Sequence, residues 1–325
     1  MNVLVTGGAG YIGTALLVKL GEEFPEAAIT SLDNLATGDY RYVKHLKNDK
    51  RYHLLVGDVR KKSDLRKAVT QDTTAIIHAA AIPGVEACNR QPNNAIGTNV
   101  YGTHLILEEA VNHNVERFIF TSSAAVYGTP QQQPITETHP LKPINLYGVT
   151  KVAAEKLVNA TYITQGLTST IIRLSNVYGL GVYADWKTVI PRFVWQLVNG
   201  QPLTIRADGN QQRNFIHIHD IVNAVIRCLR APRQAVAGET FNLGGETLSV
   251  NQIANIIIQE SERRLNKEPL KVFTSLEVGE VYTSRFLYSY KKASQKIGYK
   301  PEQEMLKAIS ELFDYALEVK TTVES

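Results

Sequence analysis

Tyr147 and Lys151 stand four residues apart in the run Tyr-Gly-Val-Thr-Lys. On a helix that spacing puts a phenol and an ammonium on one face. A nearby cation stabilises phenolate and draws a tyrosine pKa toward neutrality, which suits a general base. Spacing alone does not select the pair, because the chain also holds Tyr40/Lys44, Tyr183/Lys187 and Tyr288/Lys292. Context does. Tyr147 opens a helical stretch to Tyr162 that leads into a strand, and it lies downstream of Thr121-Ser122-Ser123 at the end of another strand. Ser123 can donate to the same substrate oxygen that Tyr147 deprotonates. The other three pairs read as solvated helix or loop residues.

A second constellation is Gly7-Gly8-Ala9-Gly10-Tyr11-Ile12-Gly13, between a strand and a helix. Gly10 must lack a side chain so that the backbone can approach a pyrophosphate, and Gly13 lets the helix pack closely on the sheet. The helix N-terminus then offers free N–H groups and positive dipole to the phosphates. Asp33 ends the second strand 20 residues after Gly13, where a carboxylate holds an adenosine ribose diol. That acid repels a 2′-phosphate, so the pattern favours NAD over NADP. Asp58, after the third strand, is placed to accept from the adenine amine. Ala79, Ala80 and Ala81 follow the fourth, where small side chains let the cofactor lie against the backbone.

Elements that would position these groups are readable in the first half. Strands are expected at Asn2 to Thr6, Ala28 to Leu32, Tyr52 to Val56, Ala75 to His78, Arg117 to Thr121 and Thr170 to Leu174. Between them lie helical patterns such as Ile12 to Leu20, Ser63 to Val69 and Thr98 to Asn112. The alternation reads as an α/β fold, a Rossmann-type doubly wound parallel sheet whose ligands bind beyond the strands' carboxyl ends. Residues 1–175 form the expected NAD-binding domain and 176–325 a smaller α/β substrate domain, partly interleaved with it. In that second part, Ser175 to Trp186 reads as loop, Val189 to Asn199 as helix, Leu203 to Ile205 and Phe215 to Ile218 as strands. Asp220 reads as the N-cap of a helix Ile221 to Leu229, Ser249 as that of Val250 to Leu265, and a last helix spans about Gln303 to Leu317.

Bulk properties narrow the class. The chain has 325 residues, 44% hydrophobic and 20% charged, enough for a substantial core. A net charge of +4 is too small to argue for nucleic acid. Two distant cysteines, Cys88 and Cys228, allow no disulfide framework or zinc pattern, so a reducing compartment is expected. No signal peptide or membrane-length apolar run is read, which points to the cytoplasm. His217-Ile-His219 would turn two imidazoles to one face of a strand, but no third ligand stands at a suggestive spacing, so no metal is expected.

Taken in chain order, these motifs resemble the extended short-chain dehydrogenase/reductase family, in its nucleotide-sugar epimerase and dehydratase branch. The resemblance covers nearly the whole chain. It rests on Thr6-Gly-Gly-Ala-Gly-Tyr-Ile-Gly13, Asp33-Asn34-Leu35, Asp58-Val59, His78-Ala-Ala-Ala81 and Asn99. It continues through Ser122-Ser-Ala-Ala-Val-Tyr-Gly128, Tyr147 with Lys151, Arg173-Leu-Ser-Asn-Val-Tyr-Gly179 and Gln212-Arg-Asn-Phe215. It implies a tightly held NAD, with Tyr11, Ile12, Asn34, Val59, Asn99 and Ser122 joining the glycines, Asp33, Asp58 and the alanines around it. It implies Tyr147 as base, Lys151 as ribose ligand and tuner of the phenol, and Ser123 at the sugar hydroxyl. Asn176 and Arg213 are implied at the nucleotide diphosphate. A homodimer is implied too, through a four-helix contact of Thr98 to Asn112 and Tyr147 to Tyr162.

The residues after Ser123 bear on the reaction. In sugar 4,6-dehydratases of this branch an Asp-Glu pair follows the matching serine or threonine, and similar decarboxylases carry a glutamate at the second position. Here both are alanines, Ala124 and Ala125. The pattern is similar to that of 4-epimerases, so a UDP-hexose 4-epimerase is expected. A dehydratase or net oxidoreductase with other catalytic residues remains an alternative, as does a non-catalytic NAD sensor. The chain departs from the branch in places. The stretch Glu277-Val-Gly-Glu280 lacks the branch's diphosphate arginine, for which Arg285 is a candidate replacement. Leu180-Gly181 replaces a frequent Pro-Arg or Pro-Gly, and the small Ser284 would admit an N-acetyl group.

Overall fold

A computed structural model describes residues 1–266, 269–276 and 282–324. Strands in the first half are β1 (Asn2–Thr6), β2 (Ala28–Asp33), β3 (Tyr52–Val56), β4 (Ala75–His78), β5 (Arg117–Ser123) and β6 (Ser169–Leu174). Those that follow are β7 (Asn176–Tyr178), β8 (Leu203–Arg206), β9 (Gln212–His217), β10 (Glu239–Leu243), β11 (Thr247–Ser249) and β12 (Lys271–Thr274). The first helices are α1 (Tyr11–Glu23), α2 (Lys62–Ala68), α3 (Val85–Arg90), α4 (Pro92–Ile96), α5 (Thr103–Asn112) and α6 (Leu146–Gln165). After them come α7 (Val189–Val198), α8 (Ile218–Arg230), α9 (Arg233–Val236), α10 (Val250–Leu265), α11 (Lys291–Ile297) and α12 (Met305–Glu324).

Seven strands form one parallel sheet in the order β10-β6-β5-β4-β1-β2-β3. Its central strands are buried on both faces, which is why they read as unbroken apolar runs. On one face α1 and α8 cover Val3, Val5 and Ile77; on the other α5 and α6 cover Leu4, Ile76 and Phe120. This is the doubly wound Rossmann-type architecture. The strand order reverses between β1 and β4, so a crevice opens beyond their carboxyl ends. A three-stranded sheet, β11-β9-β7, and the parallel pair β12-β8 lie in the second half. There α7, α10 and α12 enclose a separate core around Phe193, Phe215 and Phe313.

The two parts interleave: β10, from the second, forms the edge of the main sheet beside β6. Several local expectations change. The stretch from Ser175 holds the short strand β7, paired with β9. Asp220 is no N-cap: α8 starts at Ile218, capped by the His217 imidazole, which accepts from the His219 N–H at 3.2 Å. Asp220 is buried in the first turn and accepts from the Glu302 N–H at 3.0 Å, pinning the approach to α12. Ser249 does cap α10, in a reciprocal box with Gln252. The helix expected from Thr98 begins as a π turn, Gly97–Gly102, before α5 proper. Among the described residues no helix is long and apolar enough to cross a membrane.

Candidate active site

The glycine loop sits where β1 meets the crevice. Gly7 has φ +73°, and a Cβ there would lie 2.7 Å from the Ala80 nitrogen, so the loop and the end of β4 touch backbone to backbone. A Cβ on Gly13 would lie 2.0 Å from the Gly7 carbonyl oxygen. Gly13 therefore lets α1 close on the loop itself, where the sequence reading had it closing on the sheet. Gly10 precedes α1, and the helix starts with no side-chain cap and no acid in its first turn. Its first N–H groups keep their donor capacity and positive dipole for an anion. A dinucleotide's pyrophosphate fits that cradle. Tyr11 and Ile12 are half-buried; the Tyr11 hydroxyl donates to the Gly179 carbonyl at 2.6 Å, so its ring faces the second half of the chain.

Asp33 accepts from the Ala9 N–H at 3.0 Å and the Leu35 N–H at 2.8 Å. Burial raises its pKa while these bonds oppose the rise. Its carboxylate is thus aimed by the glycine loop, and its remaining lone pairs suit a ribose diol. Asn34 donates to Asp58 at 3.2 Å. Asp58 is further gripped by Arg60 at 2.6 and 2.9 Å, which holds its carboxyl down at about 2. The structure thus commits Asp58 to Arg60 and Asn34, partners the sequence did not reveal. Val59 is buried against Gly102, whose Cβ would lie 2.7 Å from it. Ala79 and Ala80 hang from Thr6, by bonds of 3.1 and 3.3 Å, and Ala81 follows them toward the crevice. Asn99, in the π turn, both donates to and accepts from the Ile82 backbone, at 3.1 and 2.8 Å, and donates to Thr150 at 3.0 Å. It shapes the wall of the crevice through these bonds.

Ser123 and Tyr147 come together although they stand 24 positions apart in the chain. Ser123 ends β5 and its hydroxyl accepts from the Ala125 N–H at 3.2 Å, starting a tight turn, Ala124–Tyr127. Asn145 caps α6 by accepting from the Gly148 N–H at 2.9 Å. A Cβ at Gly148 would lie 2.6 Å from the Ala125 carbonyl, so glycine there lets the helix start lean on the turn. The Ser123 hydroxyl lies close enough to that of Tyr147 to pull the phenol's pKa down against burial.

Lys151 departs from expectation. Its ammonium donates to the Thr121 carbonyl at 2.7 Å and lies 4.8 Å from the Phe120 ring centre. Burial dominates both groups, pushing the phenol up to about 12 and pulling the ammonium down to about 8. In the protein alone burial sets the Tyr147 phenol, and the Ser123 hydroxyl is the group that pulls against it. An ammonium has three donors, and one acceptor is found for it among the described residues, so capacity remains for ribose hydroxyls. Cys88, whose thiol donates to Ile82 at 3.3 Å, lines the same wall, and burial pushes it up to about 11.

Ser122 turns away. Its hydroxyl donates to Glu155 at 2.6 Å, within a buried network that the sequence did not reveal. Arg173 meets both Glu155 oxygens, at 2.9 and 2.7 Å, and donates to the Tyr127 hydroxyl at 2.7 Å. Tyr288 donates to the Arg173 carbonyl and to Asn242, each at 3.0 Å. Tyr288 and Tyr40 are thus buried, contrary to the reading of their Tyr/Lys pairs as solvated. Tyr40 bonds Ser31 at 2.8 Å and Leu55 at 3.1 Å.

Asn176 and Arg213 sit on adjacent strands, β7 and β9; Asn176 donates to the Asn214 carbonyl at 2.9 Å and Arg213 to that of Gln212 at 2.9 Å. Ser284 and Arg285 are exposed, and Glu277 to Glu280 lie outside the described residues. His217 is buried at the end of β9 and His219 lies in α8, rings 5.0 Å apart, because the strand ends between them.

Comparison with known proteins adds the following. The model of the NAD dependent epimerase/dehydratase family matches residues 3–244. The UDP-glucose 4-epimerase of Halalkalibacterium halodurans is 30% identical over 328 residues, covering 96% of this chain and 94% of that one. The dTDP-D-glucose 4,6-dehydratase of Homo sapiens is 33% identical over 264 residues, covering 79% of this chain and 73% of that one. The solved UDP-glucuronic acid 4-epimerase of Bacillus cereus, with UDP-glucuronic acid and NAD, is similar at a TM-score of 0.89 and 27% identity, covering 98% of this chain and 100% of that one. The dTDP-glucose 4,6-dehydratase DesIV of Streptomyces venezuelae, with NAD bound, also reaches 0.89 at 27% identity, covering 99% and 98%.

Proposed function

The chain belongs to the NAD dependent epimerase/dehydratase family, and within it we propose that it is a nucleotide-diphosphate-sugar 4-epimerase acting on a UDP-hexose. The observation that carries this reading is the pair of methyl groups at Ala124 and Ala125, directly beyond the hydroxyl pair of Ser123 and Tyr147. Eliminating water from a keto sugar needs a base for the C5 proton and an acid for the departing hydroxyl. Neither alanine carries a proton. Inverting C4 needs one group to take and return the 4-hydroxyl proton, and small neighbours leave room for the sugar to turn.

NAD, when bound, supplies the acceptor and later donor of the C4 hydride and a positive ring charge that favours phenolate. Tyr147 takes the 4-hydroxyl proton and gives it back after the sugar has turned its other face. Ser123 holds that oxygen in line, and the Lys151 charge lowers the cost of phenolate. Asp33 holds the adenosine ribose, and Asn176 and Arg213 hold the diphosphate. The uridine base is drawn from UDP-sugar relatives. We take the working unit to be a homodimer closed by α5, its preceding π turn and α6, where Tyr101 and Val149 are about half exposed. Two buried, unpaired thiols, Cys88 and Cys228, suit the cytoplasm.

The test is incubation of the protein with UDP-glucose, UDP-N-acetylglucosamine and UDP-glucuronate in separate tubes, followed by proton NMR of the anomeric region. The C4 epimer at constant mass supports the reading. A product lighter by water or carbon dioxide contradicts the reaction, and no change in any tube contradicts the UDP-hexose assignment.

A further inference from the structure

Two tyrosines outside the chemistry join the two halves of the chain above the glycine loop. Tyr183, in the loop between β7 and α7, stacks on Tyr42 with ring centres 4.2 Å apart and planes 18° apart. It also lies 5.8 Å from the Tyr11 ring, tilted by 58°. Tyr11 is the first residue of α1, beside the cradle that fits a pyrophosphate, and Tyr42 belongs to the segment that follows Asp33, at the ribose end. One ring therefore bridges, from outside, the stretch of the expected dinucleotide path between its pyrophosphate and its adenosine ribose.

Both sides of this bridge are anchored. The Asp39 N–H donates to the Ala9 carbonyl at 3.0 Å, and Gly38 sits so close that a Cβ would lie 2.6 Å from that same oxygen. Buried Tyr40 ties the segment down to β2 and β3 through Ser31 and Leu55. On the other side the Tyr11 hydroxyl grips the Gly179 carbonyl at 2.6 Å, and the Gly181 N–H donates to the Tyr183 carbonyl at 3.3 Å. The outer ring, Tyr42, is 43% exposed, so the stack is the outermost layer of this contact.

We infer that Tyr183 and Tyr42 form an aromatic clasp across the glycine loop that retains NAD. The dinucleotide leaves when the stack opens and the 179–186 loop lifts from Tyr11. A stacked or tilted aromatic pair contributes enough to slow such an opening about threefold to tenfold. The clasp acts on the cofactor's residence and has no part in proton transfer, so it holds whichever sugar reaction the site performs.

The test uses the full chain purified with NAD bound and measures exchange against excess carbon-13-labelled NAD, by gel filtration and mass spectrometry at timed points. Tyr183→Ala is expected to exchange about tenfold faster than the parent and Tyr42→Ala about threefold faster. Tyr183→Phe, which keeps the stack, is expected to stay within twofold of the parent. Because the two rings share one contact, the double variant is expected to be no faster than Tyr183→Ala alone. Parent-like exchange in Tyr42→Ala overturns the clasp, and that variant, altering a half-exposed ring, carries the test if Tyr183→Ala fails to fold. Exchange in Tyr183→Phe as fast as in Tyr183→Ala, or fully additive effects in the double variant, also overturns it.

Discussion

Lys151 and Arg173 are both buried cations beside the carboxyl ends of β5 and β6, and they are held in opposite ways. Arg173 meets a carboxylate at two points, a phenol and a backbone carbonyl, and these partners outweigh its desolvation to hold its pKa above the ordinary value. Lys151 meets one carbonyl and the face of a ring, and burial wins, drawing it down to about 8. The first arrangement is a fastener: four of its five donors are used within the protein, tying α6 to β6 and to the residue before Ser123. The second leaves donors and charge for something that arrives. A buried charge without a full set of partners costs stability, and that cost is the mark of a group kept for function.

The contrast can be broken by substitution. The largest effect is expected at the acceptor itself. Tyr147→Phe removes the proton carrier and should lower kcat by about 10²- to 10⁴-fold, the range for general acid–base catalysis. Its content of bound NAD should stay near that of the parent. A variant that keeps parental turnover would remove Tyr147 from the chemistry.

On the fastener side, Glu155→Gln strips Arg173 of its counter-charge and leaves a buried cation unpaired. Loss of about 3–5 kcal/mol is expected for breaking such a pair, read from urea unfolding monitored by circular dichroism. A loss below about 1 kcal/mol would mean that the network is not the fastener described.

Lys151→Met should act in the opposite sense. Drawing an ammonium down to about 8 from its ordinary 10.5 implies a penalty on the order of 3 kcal/mol at neutral pH. Taking the donor from the Thr121 carbonyl offsets about 1–3 kcal/mol of the gain. The variant should therefore be inactive yet at least as stable as the parent at pH 7, measured without NAD. Clear destabilisation would show that Lys151 is structural.

The smallest effect is the pH dependence of that difference. The folded pKa is depressed, so the unfolded chain binds the extra proton between about 8 and 10.5, and parental stability rises with pH in that window. The penalty is complete below about 8 and fades above it. The gap between parent and Lys151→Met should be constant from pH 6 to 7.5 and shift against the variant from pH 8 to 10. A gap that moves the other way would place Lys151 among stabilising charges.

The first half of the fold was legible because its central strands are buried on both faces and flanked by turn residues, so apolar runs and glycines carry the pattern. The glycine loop, Asp33 and the Ser123–Tyr147 meeting follow from strand ends on such a sheet. The edge strand β10, Glu-Thr-Phe-Asn-Leu, was not legible: it is short, half polar, and its partner β6 lies some 70 residues away. The pairing of Glu155 with Arg173 was missed because nothing in their spacing tells of a long-range pair. A glutamate four residues after Lys151, on the face that α6 buries, was the available signal. Tyr40 and Tyr288 were misread as solvated because Tyr/Lys spacing carries no information on burial.

The central claim is that the site moves a hydride off C4 and back with Tyr147 as its only proton carrier at the sugar. Running the reaction in heavy water, with whichever UDP-sugar turns over, tests it directly. The product should keep the substrate's mass, carry no deuterium on carbon and show inverted C4 by NMR. Deuterium at C5, or a product lacking the elements of water, would contradict the account and show that a second proton-transfer group acts beside Ala124 and Ala125.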